Sequence, residues 1–212
     1  MSGTCATCGR TFEVAADLAA RYPGWTPKEC PSCFRSGAGG GGGGSRRRTT
    51  LVEENLTTAE VLERYSAGPA DGVFTDGSAQ PNPGPGGWGA VYVVDGEIVD
   101  QRHGHDPDTT NNRMELTAIA SAVELVPVGT PATIWTDSKL AVDTLTSWAH
   151  GWARRGWRRK GGEIKNLDLI KPLHAALADR PELRLEWIAA HSGNRWNEYA
   201  DSLSTAYLRD TV

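Results

Sequence analysis

The stretch VFTDGSAQPNPGPGGWG, residues 73–89, sets one carboxylate, Asp76, between a strand-like apolar run and a segment dense in glycine and proline. Such a segment sustains neither a helix nor a long strand, so the strand is expected to end on the acid. A second strand-like run, ATIWTD (132–137), ends in the same way on Asp137. If the two strands are neighbours, both carboxylates emerge at one edge of the sheet, within reach of a shared ligand.

Outward from Asp76, GAVYVVDGEIVDQR (89–102) is two apolar runs joined by Asp95-Gly96, a dipeptide favoured in tight hairpins. From Asn112 to Leu125 the residues Leu116, Ile119, Ala120 and Val123 recur at helical spacing. A helix is expected from Ser138 to about Trp148, a strand over LRLEWIA (183–189), and a last helix with Trp196, Tyr199, Ala200, Leu203 and Tyr207 on one face. The order βββαβαβα implies an α/β domain, a mixed five-stranded sheet with flanking helices.

Glu115 lies one turn before Ile119, at the edge of the apolar stripe of its helix, and Asp201 sits similarly on the last helix. Four clustered acids repel one another and raise each other's pKa unless a cation neutralises them. Oxygen-only ligands favour Mg²⁺, with Mn²⁺ also suitable, over zinc. Two such ions about 4 Å apart are a common device for in-line displacement at phosphorus. Any one of these acids taken alone reads equally well as a helix cap or a solvated surface residue.

Read together, FTDGS-x3-NPGPGG-x-G, TTNNRMEL, TDS and HSG-x3-NE-x2-D occur in one order within a single domain, and here the chain resembles type 1 ribonuclease H from Asp71 to about Arg209. The resemblance implies a ribonuclease H-like fold and endonucleolytic cleavage of the RNA strand of an RNA/DNA hybrid to 5'-phosphomonoesters. It casts Asp76, Glu115, Asp137 and Asp201 as the ligands of two Mg²⁺ ions. His191, in AAHSGN, is implied to assist proton transfer and product departure, for which an imidazole is suited; a lone histidine is more often a surface or capping residue.

The segment SWAHGWARRGWRRKGG (147–162) interleaves Trp148, Trp152 and Trp157 with Arg154, Arg155, Arg158, Arg159 and Lys160. Tryptophans four residues apart are more often core packing, yet five cations on an otherwise acidic domain supply the cluster that phosphate neutralisation needs. The segment looks like the basic protrusion of type 1 enzymes, with Trp148, Trp152, Arg154 and Arg155 as substrate contacts. By resemblance, Asn82, Asn111 and Asn112 contact bases or sugars in the minor groove, and Thr110 and Asn166 seat a DNA phosphate. Where several family members carry an arginine in that seat, this chain has Asp108, for which Lys165 is a candidate substitute.

The totals agree. With 212 residues, 39% hydrophobic and 23% charged, the chain suits one globular domain plus something small. No apolar run reaches membrane-spanning length and no secretory signal precedes the first module, so a cytoplasmic protein with no membrane partner is expected. No heptad is sustained, and a monomer is expected.

Net charge is −4, but residues 1–49 carry seven basic against three acidic side chains, a net of +4 that leaves −8 for the rest. All four cysteines, Cys5, Cys8, Cys30 and Cys33, fall in the first 33 residues as CATC and CPSC. Two thiolate pairs so spaced suit tetrahedral zinc, and so small a piece needs a metal to fold; the competing reading is a pair of redox dithiols. The expected organisation is a zinc-ribbon-like module over 1–35, a flexible Gly/Arg linker over 36–50 with a span of roughly 20 Å, a lead-in segment over 51–70 and the catalytic domain over 71–212. Two other readings stay open: another nuclease or recombinase of the same broad fold, and a non-catalytic hybrid-binding adaptor.

Overall fold

The computed structural model describes residues 2–6, 8–14, 28, 30 and 55–209. Cys33, the 36–50 linker and the first residues of the lead-in segment lie outside them. The chain divides into two compact units, Met1–Glu53 and Glu54–Val212. In the first, β1 (Ser2–Thr4) pairs antiparallel with β2 (Thr11–Glu13). The turn between them carries Cys5 and Cys8, closed by hydrogen bonds from Cys5 N to Arg10 O and from Gly9 N to Cys5 O.

The second unit opens with a short helix, α1 (Thr58–Arg64), started by a capping box in which Thr57 and Glu60 satisfy each other's backbone N–H groups. Five strands then build one sheet: β3 (Gly72–Ala79), β4 (Gly84–Val94), β5 (Glu97–Thr109), β6 (Ala132–Thr136) and β7 (Leu183–Trp187), in spatial order β5-β4-β3-β6-β7. β3, β4 and β5 are antiparallel, whereas β6 runs parallel to β3 and to β7. Helices α2 (Asn111–Leu125), α3 (Lys139–Asp143), α4 (Ala149–Arg154), α5 (Leu167–Ala178) and α6 (Arg195–Ser204) complete the unit, a wide turn over Thr144–Trp148 joining α3 to α4.

Alternation along β3 gives the sheet two apolar faces. Val73 joins Leu116, Ile119, Ile134, Leu145 and Ile170 beneath α2 and α5. Phe74 joins Val61, Val91, Val93, Trp196, Tyr199 and Leu203 beneath α1 and α6. Phe74 and Ile119 are wholly buried, one in each cluster, and truncation to alanine would cost about 3–5 kcal/mol for the first and about 2–5 kcal/mol for the second.

Two expectations need correction, and one helix comes in addition. β3 does not end on Asp76: it continues to Ala79, and Asp76 pairs with Gly89 of β4. The glycines mark close approach as well as chain reversal. A Cβ on Gly77 would lie 2.2 Å from the backbone N of Glu115, and one on Gly87 would lie 2.1 Å from the carbonyl of Ser204, so two helices rest directly on this part of the sheet. Helix α5 was not anticipated, because Pro172 lies inside it and proline in a sequence argues against a helix interior. Tyr207 does not share the face of the last helix, which ends at Ser204; it sits in a separate turn, Ala206–Leu208.

Candidate active site

Parallel pairing sets Thr75 of β3 opposite Thr136 of β6, so the next residue on each strand is an aspartate. Neighbouring strands lie roughly 4.8 Å apart, and Asp76 and Asp137 therefore leave the sheet side by side. The Thr75 hydroxyl donates to Trp135 O at 3.0 Å, tying β3 to β6 just before the acids, and Trp187 Nε1 donates to Asp137 O at 3.0 Å, pinning the end of β6. Asp76 is 8% exposed and its Oδ2 accepts a 2.6 Å hydrogen bond from Ser204 Oγ of α6. Glu115 arrives from α2, whose first turn lies over Gly77. That helix is capped by Thr110, whose hydroxyl accepts from Arg113 N.

The electrostatics tie these acids together. Glu115 is pushed up to about 8, by burial first and then by the charges of Asp76 and Asp137. Asp137 is pushed up to about 7 by burial and by Asp76, with a hydrogen bond from Asn197 and the charge of His191 acting the other way. Among the described residues, Glu115 Oε2 is buried without a hydrogen-bond partner. An orphaned carboxylate oxygen among like charges fits a hard divalent cation: the donor set is all oxygen, and a cation would remove both the repulsion and the missing partner.

Asp201 belongs to a second group. Ligand atoms of His191, Glu198 and Asp201 lie within 4.8 Å of one another. His191 has a left-handed backbone (φ 46°) and an exposed ring, with Nδ1 4.0 Å from Glu198 Oε2. Glu198 is itself buried, and its Oε1 accepts from Gly193 N at 3.1 Å. The charge of His191 acts on Asp137, which joins the two groups. Sequence reasoning overlooked Glu198, Asn197 and Ser204; the Asn-Glu pair in HSG-x3-NE-x2-D was the available signal for the first two.

Beside the acids is a cleft of about 190 Å³ lined by Asn112, Glu115, Trp148, Trp152, Arg159, Lys165 and Asn166, among others. Trp148 is 45% exposed. Trp152 is half-buried against the core, its ring 6.1 Å from that of Trp148 and tilted to it. Asn166 adopts a left-handed conformation at the start of α5. Arg154 and Arg155 are exposed at the end of α4, outside the cleft lining. Asn111 Oδ1 accepts from Ala79 N at 2.6 Å and Asn82 Oδ1 accepts from Asn111 N at 3.3 Å, so those two amides form one cluster at the end of β3. Asp108 is exposed, its N–H donating to Asp106 Oδ1; Lys165, unlike Asp108, lines the cleft.

In the first unit the thiols of Cys5, Cys8 and Cys30 lie within 4.8 Å of one another, Cys8 Sγ and Cys30 Sγ being 3.8 Å apart. Sulfurs about 2.3 Å from a shared tetrahedral zinc stand ~3.8 Å apart, so the three fit that ion.

The family model RNase H matches residues 70–209. Among curated relatives, Ribonuclease H of Granulibacter bethesdensis is 44% identical over 134 residues, 63% of this chain and 88% of that protein. Ribonuclease H of Nitrobacter hamburgensis is 44% identical over 140 residues, 66% of this chain and 91% of that protein. Ribonuclease H of Methylorubrum extorquens is 42% identical over 140 residues, and there the match spans 60% of the relative. Among solved structures, LC9-RNase H1, a type 1 RNase H with the type 2 active-site motif, is 33% identical with a TM-score of 0.51, covering 66% of this chain and 74% of that one. A foamy viral protease-reverse transcriptase, 22% identical with a TM-score of 0.57 over 65% of this chain and 92% of that one, shares the fold. Residues 1–69 lie outside the family match.

Proposed function

The chain belongs to the ribonuclease H family, as a type 1 member, and from that premise we propose a metal-dependent endonuclease that hydrolyses the RNA strand of RNA/DNA hybrids at the Asp76, Glu115 and Asp137 cluster. The observation that carries the assignment of the site is the buried, partnerless Glu115 oxygen among carboxylates whose pKa values are driven to about 8 and about 7. A pure hybrid-binding adaptor has no use for so costly an arrangement.

Asp76, Glu115, Asp137 and Asp201 would hold two Mg²⁺ ions, with Mn²⁺ also suited to the donor set. Bound there, such ions supply Lewis acidity at phosphorus and an activated water for in-line displacement. The protein supplies the rest. Ser204 and Asn197 fix the rotamers of Asp76 and Asp137, and the contacts of Thr75 with Trp135 O and of the Trp187 indole with Asp137 O hold the backbone beside them. His191, exposed and close to Glu198, would take up and pass on a proton at the departing oxygen. Trp148 and Asn166, with Lys165 in place of the absent arginine, would receive the DNA strand. Arg154 and Arg155 would reach its phosphates beyond the cleft. Asn82, Asn111 and Asn112 would read the 2'-hydroxyl side, since an amide both donates and accepts.

For the first unit we read Cys5, Cys8, Cys30 and Cys33 as ligands of a structural Zn²⁺, supported by the sulfur spacing; zinc content per chain and its loss in Cys8→Ser test this. A monomer acting in the cytoplasm completes the reading. Among the described residues no helix is long and apolar enough to cross a membrane. The deciding experiment incubates the purified chain with end-labelled RNA/DNA, RNA/RNA and DNA/DNA duplexes, with and without Mg²⁺. Metal-dependent cutting of the hybrid's RNA strand alone is expected; cutting of DNA/DNA would replace this reading with another nuclease of the same fold.

A further inference from the structure

Residues 55–69 of the lead-in segment lie outside the family match, yet they are built into the same compact unit as the matched residues. Its helix α1 packs on α6, the helix of Asn197, Glu198 and Asp201. Val61 is 1% exposed among Trp196, Tyr199 and Leu203. Arg209 draws the segment in further, its guanidinium donating to Asn55 Oδ1, Leu56 O and Ser202 O, while Ser202 Oγ donates to Leu56 O at 2.7 Å.

The segment then runs alongside the turn that bears His191. Ala67 forms a parallel bridge with Asn194, and Arg195 N donates to Ala67 O at 2.8 Å. Gly68, at φ 111°, leaves no room for a side chain: a Cβ there would lie 2.2 Å from Asn194 Nδ2. Asn194 in turn caps α6, its Oδ1 accepting from Asn197 N at 3.3 Å. One residue before it, Gly193 N is fastened to Glu198. The left-handed His191 thus sits on a short turn whose far end is held by Ala67, Gly68 and the helix cap. A free loop would sample many orientations, whereas proton transfer requires a defined one.

We infer that residues 56–68 are a positioning element for the reaction, with the Ala67–Gly68 edge seating the 191–194 turn so that the His191 imidazole faces the carboxylate cluster. This rests on the reading of His191 given above. Gly68 is a positioning residue: it touches neither substrate nor ion, and acts through Asn194.

The test is a double-mutant cycle in the full-length chain, with Gly68→Ala and His191→Ala made singly and together and kcat and KM measured on a labelled hybrid. Gly68→Ala should lower kcat by roughly tenfold or more, as small misplacements of reacting groups do, with KM little changed because the basic segment is untouched. In the His191→Ala background the same substitution should add little, since the group it positions is gone. Thr57→Val, which removes only the cap of α1, is the milder second variant. It should show a smaller kcat loss that also vanishes in the His191→Ala background, and melting curves establish that each variant is folded. Unchanged kcat in Gly68→Ala, or losses that multiply fully with that of His191→Ala, would overturn the inference while leaving hybrid cleavage by the parent chain intact. A parent chain that does not cleave hybrids overturns the functional reading, and this inference with it.

Discussion

The carboxylate cluster and the tryptophan-arginine segment are close neighbours built on opposite principles. The acids sit on the inner strand β3, just past the end of β6 and on helices packed directly over glycine, where Asp76 is 8% exposed and the positions are fixed by Ser204, Asn197 and backbone hydrogen bonds. Arg154 and Arg155 stand at the end of α4, exposed, with a long contact from Arg155 Nε to Arg158 O. Burial makes each acid's charge expensive, so the acids should govern rate and metal uptake. Exposure makes each arginine's charge cheap and easily screened, so the arginines should govern affinity and its response to salt.

The sharpest break between the two regions should come from Asp137→Asn. Losing a ligand that stabilises the transition state by several kcal/mol lowers kcat about a thousandfold, with KM for the hybrid unchanged in initial-rate measurements. His191→Ala should retain a measurable fraction, a loss of about a hundredfold for an accessory proton carrier; complete loss equal to that of Asp137→Asn would contradict the ranking. On the other side, Arg154→Ala combined with Arg155→Ala should leave kcat intact, raise KM about tenfold and flatten the log–log salt dependence by roughly two. A fall in kcat with unchanged salt slope would erase the contrast. Removing residues 1–49, with their net positive charge, should raise KM more modestly and also flatten its salt dependence, through loss of a tethered second contact. An unchanged KM would point to a protein-binding role for the cysteine unit.

The smallest effect is on stability. The carboxyl of Glu115 has a folded-state pKa of about 8 against an ordinary 4.5. The raised value means that its contribution to stability is fully present below 4.5 and is lost as pH rises towards 8. Metal-free protein should therefore melt lower at pH 8 than at pH 5, Glu115→Gln should lose part of that dependence, and Mg²⁺ at pH 8 should restore the parent chain only. Each kcal/mol relieved corresponds to roughly 3 °C in a domain of this size.

How much of this was legible depended on whether local pattern and tertiary role coincided. Asp137 was readable because a short apolar strand stops at Thr-Asp-Ser and a helix begins there, capped by Ser138. Around Asp76 the same logic misled: glycines that read as a chain break are spaces for helix backbone, and β3 runs on to Ala79. Helix α5 hid behind Pro172. The tryptophan-arginine segment was conspicuous, but its division of labour was not, since Trp152 packs inward while Trp148 faces solvent. Asn197 and Glu198 stood in the quoted motif without a role, and Ser204 had no signature of its own; their partners, Asp137, Gly193 and Asp76, are set by how α6 crosses the sheet. Gly68 was invisible for the same reason.

The most direct test of the central claim is a titration of the metal-free chain with Mg²⁺ near neutral pH in weak buffer, following heat and proton release together. Carboxyl groups held at about 8 and about 7 should surrender protons as the ion binds, and both signals should collapse in Asp137→Asn combined with Glu115→Gln. Mg²⁺ uptake without proton release, or undiminished in that double variant, would contradict the account.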